Sequence, residues 1–198
     1  MQIPSDEEIL ALHSKHAPNQ AALSLVYAHC QAVWAIAEQL MSRSTPAVAG
    51  IDADLVRAGC LLHDIGVYLL YDDAGVLDGA NYVRHGVLGH DLLMAEGIPE
   101  RISRFASHHT GVGITRQDVL NQDLPLPEGD FMAETAEEAV VMYADKFHTK
   151  SAPPRFITPE DYAASLRRFG EDKVMAFEVM RGQFGDPDFS TLSAGSLP

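Results

Sequence analysis

The chain has 198 residues, of which 46% are hydrophobic and 21% charged, a size and composition that suit one soluble globular domain, alone or with a small helical appendage. Its formal net charge of −14 argues against nonspecific binding to nucleic acid or to an anionic membrane, since both need a basic face. No apolar run approaches the roughly 20 residues that span a bilayer, and the start MQIPSDEEIL has neither the basic nor the apolar region of a secretory signal.

Helix signals recur along the chain. Ser5 with Glu8 predicts a capping box, opening a helix that ends between His16 and Pro18. From Asn19 to Met41, apolar residues fall at helical spacing (Ala22, Leu25, Val26, Val33, Ile36, Leu40) until Ser44-Thr45-Pro46 breaks the run. Asp52 or Asp54 caps a helix from Leu55 to about Ile65, and Gly66 suits its stop. Composition makes 72–79 a loop. Further helices are expected over 82–96, 99–109, 115–121, 135–149, 158–169 and 171–184, with Thr115/Asp118, Thr135/Glu138 and Thr158/Asp161 as capping pairs. The segments 122–130 and 151–156 read as loops, and only Val67 to Tyr71 could be a strand. The expected layout is an N-terminal helix (1–18), a central helical domain (19–150), a helical extension (151–185) and a flexible tail (186–198). Cys30 and Cys60 sit in apolar helical stretches outside any CxxC pair, so they read as buried reduced thiols of a cytoplasmic protein.

The chemistry starts at His63-Asp64-Ile65-Gly66. The helix before His63 is apolar nearly all round, which marks it as buried. A buried carboxylate needs a partner or a metal, and the negative end of a helix dipole favours a cation there. Taken alone, the pair could be a hydrogen-bonded helix cap, and His29 a satisfied core histidine. Asp145, however, is a second carboxylate closing an apolar run, Ala139 to Ala144. Two acids and two histidines of this kind are jointly satisfied by one octahedral or five-coordinate metal.

The order His29, His63-Asp64, Asp145 resembles the H…HD…D signature of the HD superfamily, and His63-Asp64-Ile65-Gly66 resembles its HDIG subgroup. The likeness runs from about Ala22 to Lys150. It implies an all-α, single-domain helical bundle around a metal site, with His29, His63, Asp64 and Asp145 as ligands. Arg84-His85-Gly86-Val87-Leu88-Gly89 and His108-His109-Thr110-Gly111 resemble the H-G-x-x-G and H-T-x-G segments of the diadenosine tetraphosphate hydrolase branch, which implies a second ion on His85 and His109. His85 and His90 are five apart, about 140° around a helix, so they do not serve one ion; His90 is expected behind the ligands or on the surface. For His108 both a supporting position and solvent stay open.

The resemblance implies a metal-dependent phosphohydrolase acting on a nucleotide or another small phosphoester, with a metal-activated water as nucleophile and Asp64 at the centre. The cofactor is one or two divalent ions: Fe or Mn is favoured, but Mg, Zn and Ni are not distinguished. One departure bears on this. Many relatives carry HD-x-x-K, and the lysine position here is Val67. A replacement charge could come from Lys146, expected as a catalytic residue, or from Arg84, Arg104 or Lys150. The missing lysine also keeps open a di-iron oxygenase, as in myo-inositol oxygenase and a phosphonate-cleaving oxygenase of this fold, or a non-catalytic metal-stabilised module. The expected partner is a small phosphorylated molecule rather than nucleic acid or membrane, and a homo-oligomer is possible.

Overall fold

The computed structural model describes residues 2–43 and 45–192. Nine α-helices are found among them: α1 (Asp6–His16), α2 (Gln20–Met41), α3 (Ala53–Leu62), α4 (His85–Ala95), α5 (Glu100–Ser107), α6 (Arg116–Asn121), α7 (Ala136–Ala144), α8 (Pro159–Leu166) and α9 (Glu171–Phe184). Extended pairing among the described residues is confined to isolated bridges, so the protein is all-helical, as expected. No helix among these residues is long and apolar enough to cross a membrane.

Local capping sets most of the starts. Ser5 and Glu8 form a reciprocal box on α1, and Thr115 and Asp118 form one on α6. Thr135 caps α7 through Glu138 N, but the Glu138 side chain turns away to Arg104 Nε at 2.8 Å and Glu134 N at 2.7 Å. Asn19 and Asp52 cap α2 and α3.

The long apolar stripe of α2 packs on α3 and α7, and α3 also meets α5. Val33, Ile36, Leu40, Leu55, Leu62 and Tyr143 form the centre of this core. From the expected helical extension, Phe177 and Phe184 of α9 join the same cluster and pack against the Tyr143 ring. Residues 186–192, expected as the start of a flexible tail, are packed: Phe189 stacks on Phe156 at 4.9 Å, and Gln39 bonds the Asp188 backbone. The rest of that tail, 193–198, lies outside the described residues.

Two expectations are corrected. The Val67–Tyr71 run is not a strand: residues 67–70 belong to a 3₁₀ helix, Ile65–Leu70, tightened by Val67 N donating to Asp64 O at 2.9 Å, and Tyr71 after it makes an isolated bridge to Leu77. Gly66 explains the tightness: a Cβ there would lie 2.1 Å from the His85 carbonyl oxygen, so the turn sits directly against the start of α4. The helix expected over 135–149 ends at Ala144, continues as a single 3₁₀ turn, Asp145–Phe147, and becomes extended at His148. Asp145 itself keeps helical backbone angles at the end of α7, where its carboxylate meets His29 of α2 and His63 at the end of α3.

Candidate metal centre

Six side chains converge where these helices end. His63 is the C-cap of α3, Asp145 is the C-cap of α7, and His109 follows the C-cap of α5. Three negative helix ends thus point at one place, which favours a cation there. Asp64 follows His63, His85 opens α4, and His29 comes from the middle of α2. All but Asp145 are nearly inaccessible.

The donors fall into two groups sharing Asp64: His29, His63, Asp64 and Asp145, and then Asp64, His85 and His109, with the ligand atoms of each group within 4.8 Å of one another. Asp64 Oδ2 lies 3.3 Å from His29 Nε2 and 3.5 Å from His63 Nε2. Asp64 Oδ1 lies 3.4 Å from His85 Nε2 and 3.5 Å from His109 Nε2. Asp145 Oδ1 reaches His29 Nε2 at 2.9 Å and His63 Nε2 at 3.4 Å. All six ligand residues expected from the sequence are therefore together.

Their hydrogen bonds show what the site suits. Nδ1 of His63, His85 and His109 lies 2.7, 2.6 and 2.7 Å from the carbonyl oxygens of Cys60, Tyr82 and Ala106. A carbonyl only accepts, so each Nδ1 carries the proton and, in the neutral ring, Nε2 presents a lone pair inward. Nε2 of His85 and His109 then face each other at 3.0 Å, beside an Asp64 Oδ1 that makes no hydrogen bond. A cation satisfies all three atoms at once, so the residues fit a divalent ion.

The charge balance agrees. Burial would raise Asp64, but the Lys150 ammonium and His63 hold it well below the usual carboxylate range. Burial likewise opposes ionisation of Asp145, and Lys146 and Lys150 overcome it. Against burial, Asp64 holds both His63 and Lys150 well above their ordinary values. The two carboxylates thus draw positive charge to the centre. His29 and His85 are pushed down to about 3, chiefly by burial, so these two rings are neutral, whereas His63 would have to give up its Nε2 proton to take an ion.

A cleft of about 420 Å³ opens over His85, His109 and Asp145 and is also lined by Lys146, Lys150 and Arg168. Lys146 Nζ is engaged inward, donating to Asp145 Oδ2 at 2.7 Å and to His109 O at 3.0 Å. Lys150 Nζ rests on Asp64 Oδ2 at 2.5 Å, and its side chain keeps 21% exposure. Arg104 is taken up by Glu138 and Glu134, and Arg84 is exposed. His90 bonds Glu100 on the surface at 3.0 Å, and His108 packs against Phe131 outside the cluster. His148, not singled out in the sequence, meets His29 Nδ1 at 3.1 Å and helps to orient that ring; its only sequence signal is the basic run from Lys146 to Lys150.

Helices that carry histidines and aspartates to one buried centre define a helical protein built around a candidate metal site. The chain belongs to the HD domain family, whose pattern it matches over residues 26–150. The uncharacterized protein MJ0778 of Methanocaldococcus jannaschii is 35% identical over 127 residues, 63% of this chain and 68% of that protein. The tRNA (cytidine(56)-2'-O)-methyltransferase of Picrophilus torridus is 33% identical over 144 residues, 72% of this chain but 36% of the methyltransferase. The chain therefore spans only about a third of that second relative. Among solved structures, the HD domain of the L. monocytogenes phosphodiesterase PgpH aligns with a TM-score of 0.51 at 18% identity, covering 90% of this chain and 96% of that one. Its complex with cyclic-di-AMP aligns with a TM-score of 0.52 at 17% identity, covering 93% and 96%. At such identities the likeness concerns the fold.

Proposed function

We propose that this protein is a metal-dependent phosphohydrolase acting on a nucleotide or another small phosphoester, with two divalent ions held by His29, His63, Asp64 and Asp145 and by Asp64, His85 and His109. The observation that carries this reading is the sharing of Asp64 between two ligand groups beneath a cleft lined by cations, in a protein of net charge −14. Bound divalent ions supply Lewis acidity, which lowers the pKa of a water and offsets charge on the phosphoryl oxygens. The protein's own groups do the rest. Asp64 would offer a carboxylate oxygen to each of the two ligand groups. Lys146 holds the Asp145 carboxylate and the turn carrying His109, making it a positioning residue. Lys150, whose Nζ lies at the cleft wall, takes a phosphoryl oxygen of the substrate and serves where Val67 leaves no cation. PgpH is named a phosphodiesterase, and its HD domain has been solved with cyclic-di-AMP, which agrees with phosphoester chemistry on this fold.

The test is phosphate release by metal-loaded protein over a panel of nucleotides and sugar phosphates, with O₂ uptake measured in parallel. Chelation should abolish release. Lys150→Met should lower kcat/KM roughly 10- to 100-fold, the range for losing a hydrogen bond to a charged group at about 1.5–3 kcal/mol. Metal-dependent O₂ uptake without phosphate release would replace the hydrolase with an oxygenase.

A further inference from the structure

Beside the metal cleft lies a second cavity of about 280 Å³, formed by the Thr110–Ile114 turn, α6, α8 and α9. The two cavities share Val83, Thr110, Gly111, Tyr162 and Phe169 as lining residues, so they are adjacent. We infer that this cavity is the specificity pocket for the organic part of the phosphoester and takes a flat heteroaromatic ring bearing an N–H or amine donor. The inference rests on the hydrolase reading and deepens it.

Four features of the cavity point this way. Its walls are apolar, with Val83, Ile114, Leu124 and Leu166 beside the Tyr162 and Phe169 rings, which suits a flat ring more than a hydroxylated chain. Phe169, which lines both cavities, remains 49% exposed. Arg168, which lines the metal cleft, lies over the same ring with its guanidinium carbon 4.6 Å from the centroid, so a cation for phosphate and an aromatic wall are adjacent. The size, at the lower end of small-molecule sites, fits one ring system rather than two.

Among the polar side chains that line the pocket, Thr110, Asp118, Gln122 and Lys173, Asp118 is the one that discriminates between rings. Asp118 Oδ2 accepts from Lys173 Nζ at 2.5 Å, Thr115 N at 2.8 Å and Thr115 Oγ1 at 2.7 Å. All three donors use the same oxygen, so Oδ1 is left as an acceptor on a carboxylate held below its usual range against burial, with Lys173 and Thr115 as the cause. An acceptor at an apolar pocket selects a ring that brings a donor, because a ring without one leaves the carboxylate oxygen desolvated and unpaired.

The experiment compares kcat/KM of metal-loaded wild type for adenosine and cytidine 5'-monophosphates, phenyl phosphate and ribose 5-phosphate. It also measures binding of adenosine and of ribose to metal-free protein by calorimetry. The expected result is at least a tenfold preference for the nucleoside monophosphates over both others, and binding of adenosine but not of ribose. Ile114→Trp, which fills the pocket, should remove that preference and adenosine binding, leaving metal content and the helical spectrum unchanged. Asp118→Asn should bring the nucleoside monophosphates down to the level of phenyl phosphate, with an unchanged helical spectrum as the folding control. Equal rates for phenyl phosphate and the nucleoside monophosphates would overturn the donor-reading role of Asp118. Equal rates for all four substrates would overturn the pocket while leaving the hydrolase standing. No hydrolysis of any substrate would overturn the hydrolase reading itself, and with it this inference.

Discussion

Asp64 is the residue whose change separates one shared site from two independent ones. It is fully buried, and its two oxygens face different histidine pairs at 3.3–3.5 Å. Asp64→Asn keeps the shape but removes the charge common to both ligand groups, so both ions should be lost together. His85→Ala removes a donor from only one group and should cost one ion. Each ion present at 100 times its Kd stabilises the native state by about 2.7 kcal/mol, so two ions give about 5.4 kcal/mol and, for a domain of this length, raise Tm by roughly 11–22 °C. Differential scanning fluorimetry with and without Mn²⁺ or Fe²⁺ should show that rise in the wild type and almost none in Asp64→Asn. Elemental analysis should give close to two equivalents in the wild type, one in His85→Ala and none in Asp64→Asn. If Asp64→Asn retains one equivalent and half of the shift, the two groups are independent, and the shared-carboxylate geometry is not what holds the metals.

Gly66→Ala should be strongly destabilising, at or above the upper end of the roughly 1–3 kcal/mol typical of overpacking. The obstacles are backbone atoms, His85 O at 2.1 Å and Gly89 N at 2.3 Å from the added Cβ; an unchanged urea midpoint would refute the packing account. His13, buried with Nε2 donating to Leu61 O at 2.7 Å and Nδ1 accepting from the Tyr68 hydroxyl at 2.8 Å, is pushed down to about 4, chiefly by burial. Its unfolded value is about 6.5, so its contribution is complete above that pH and falls away as pH drops towards 4, by up to roughly 3 kcal/mol. His13→Gln keeps the donor to Leu61 O and should flatten the stability profile between pH 6.5 and 4; a slope equal to that of the wild type would rule out His13 as its source.

What could be read from the amino-acid order alone was whatever depends on neighbours a few residues away. The Ser5/Glu8 and Thr115/Asp118 boxes are contacts across three residues, and the α2 stripe repeats with the helical turn, so both are visible without a fold. The ligand residues stood out for a related reason: His63-Asp64 and Asp145 close apolar runs, where a charge without a partner is costly. The misplaced end of α7 and the mistaken strand at Val67–Tyr71 had no such local mark. Each goes with a long-range contact: His148, where the chain becomes extended, meets His29, 119 residues earlier, and the chain at Gly66 must lie against α4. The same holds for the cations. Lys146 and Lys150 are equivalent as letters in one basic run, yet the turn after α7 sends the first to Asp145 and the second to Asp64. Side-chain direction after a helix end follows from the packing of the whole chain, and only the tertiary structure sets it.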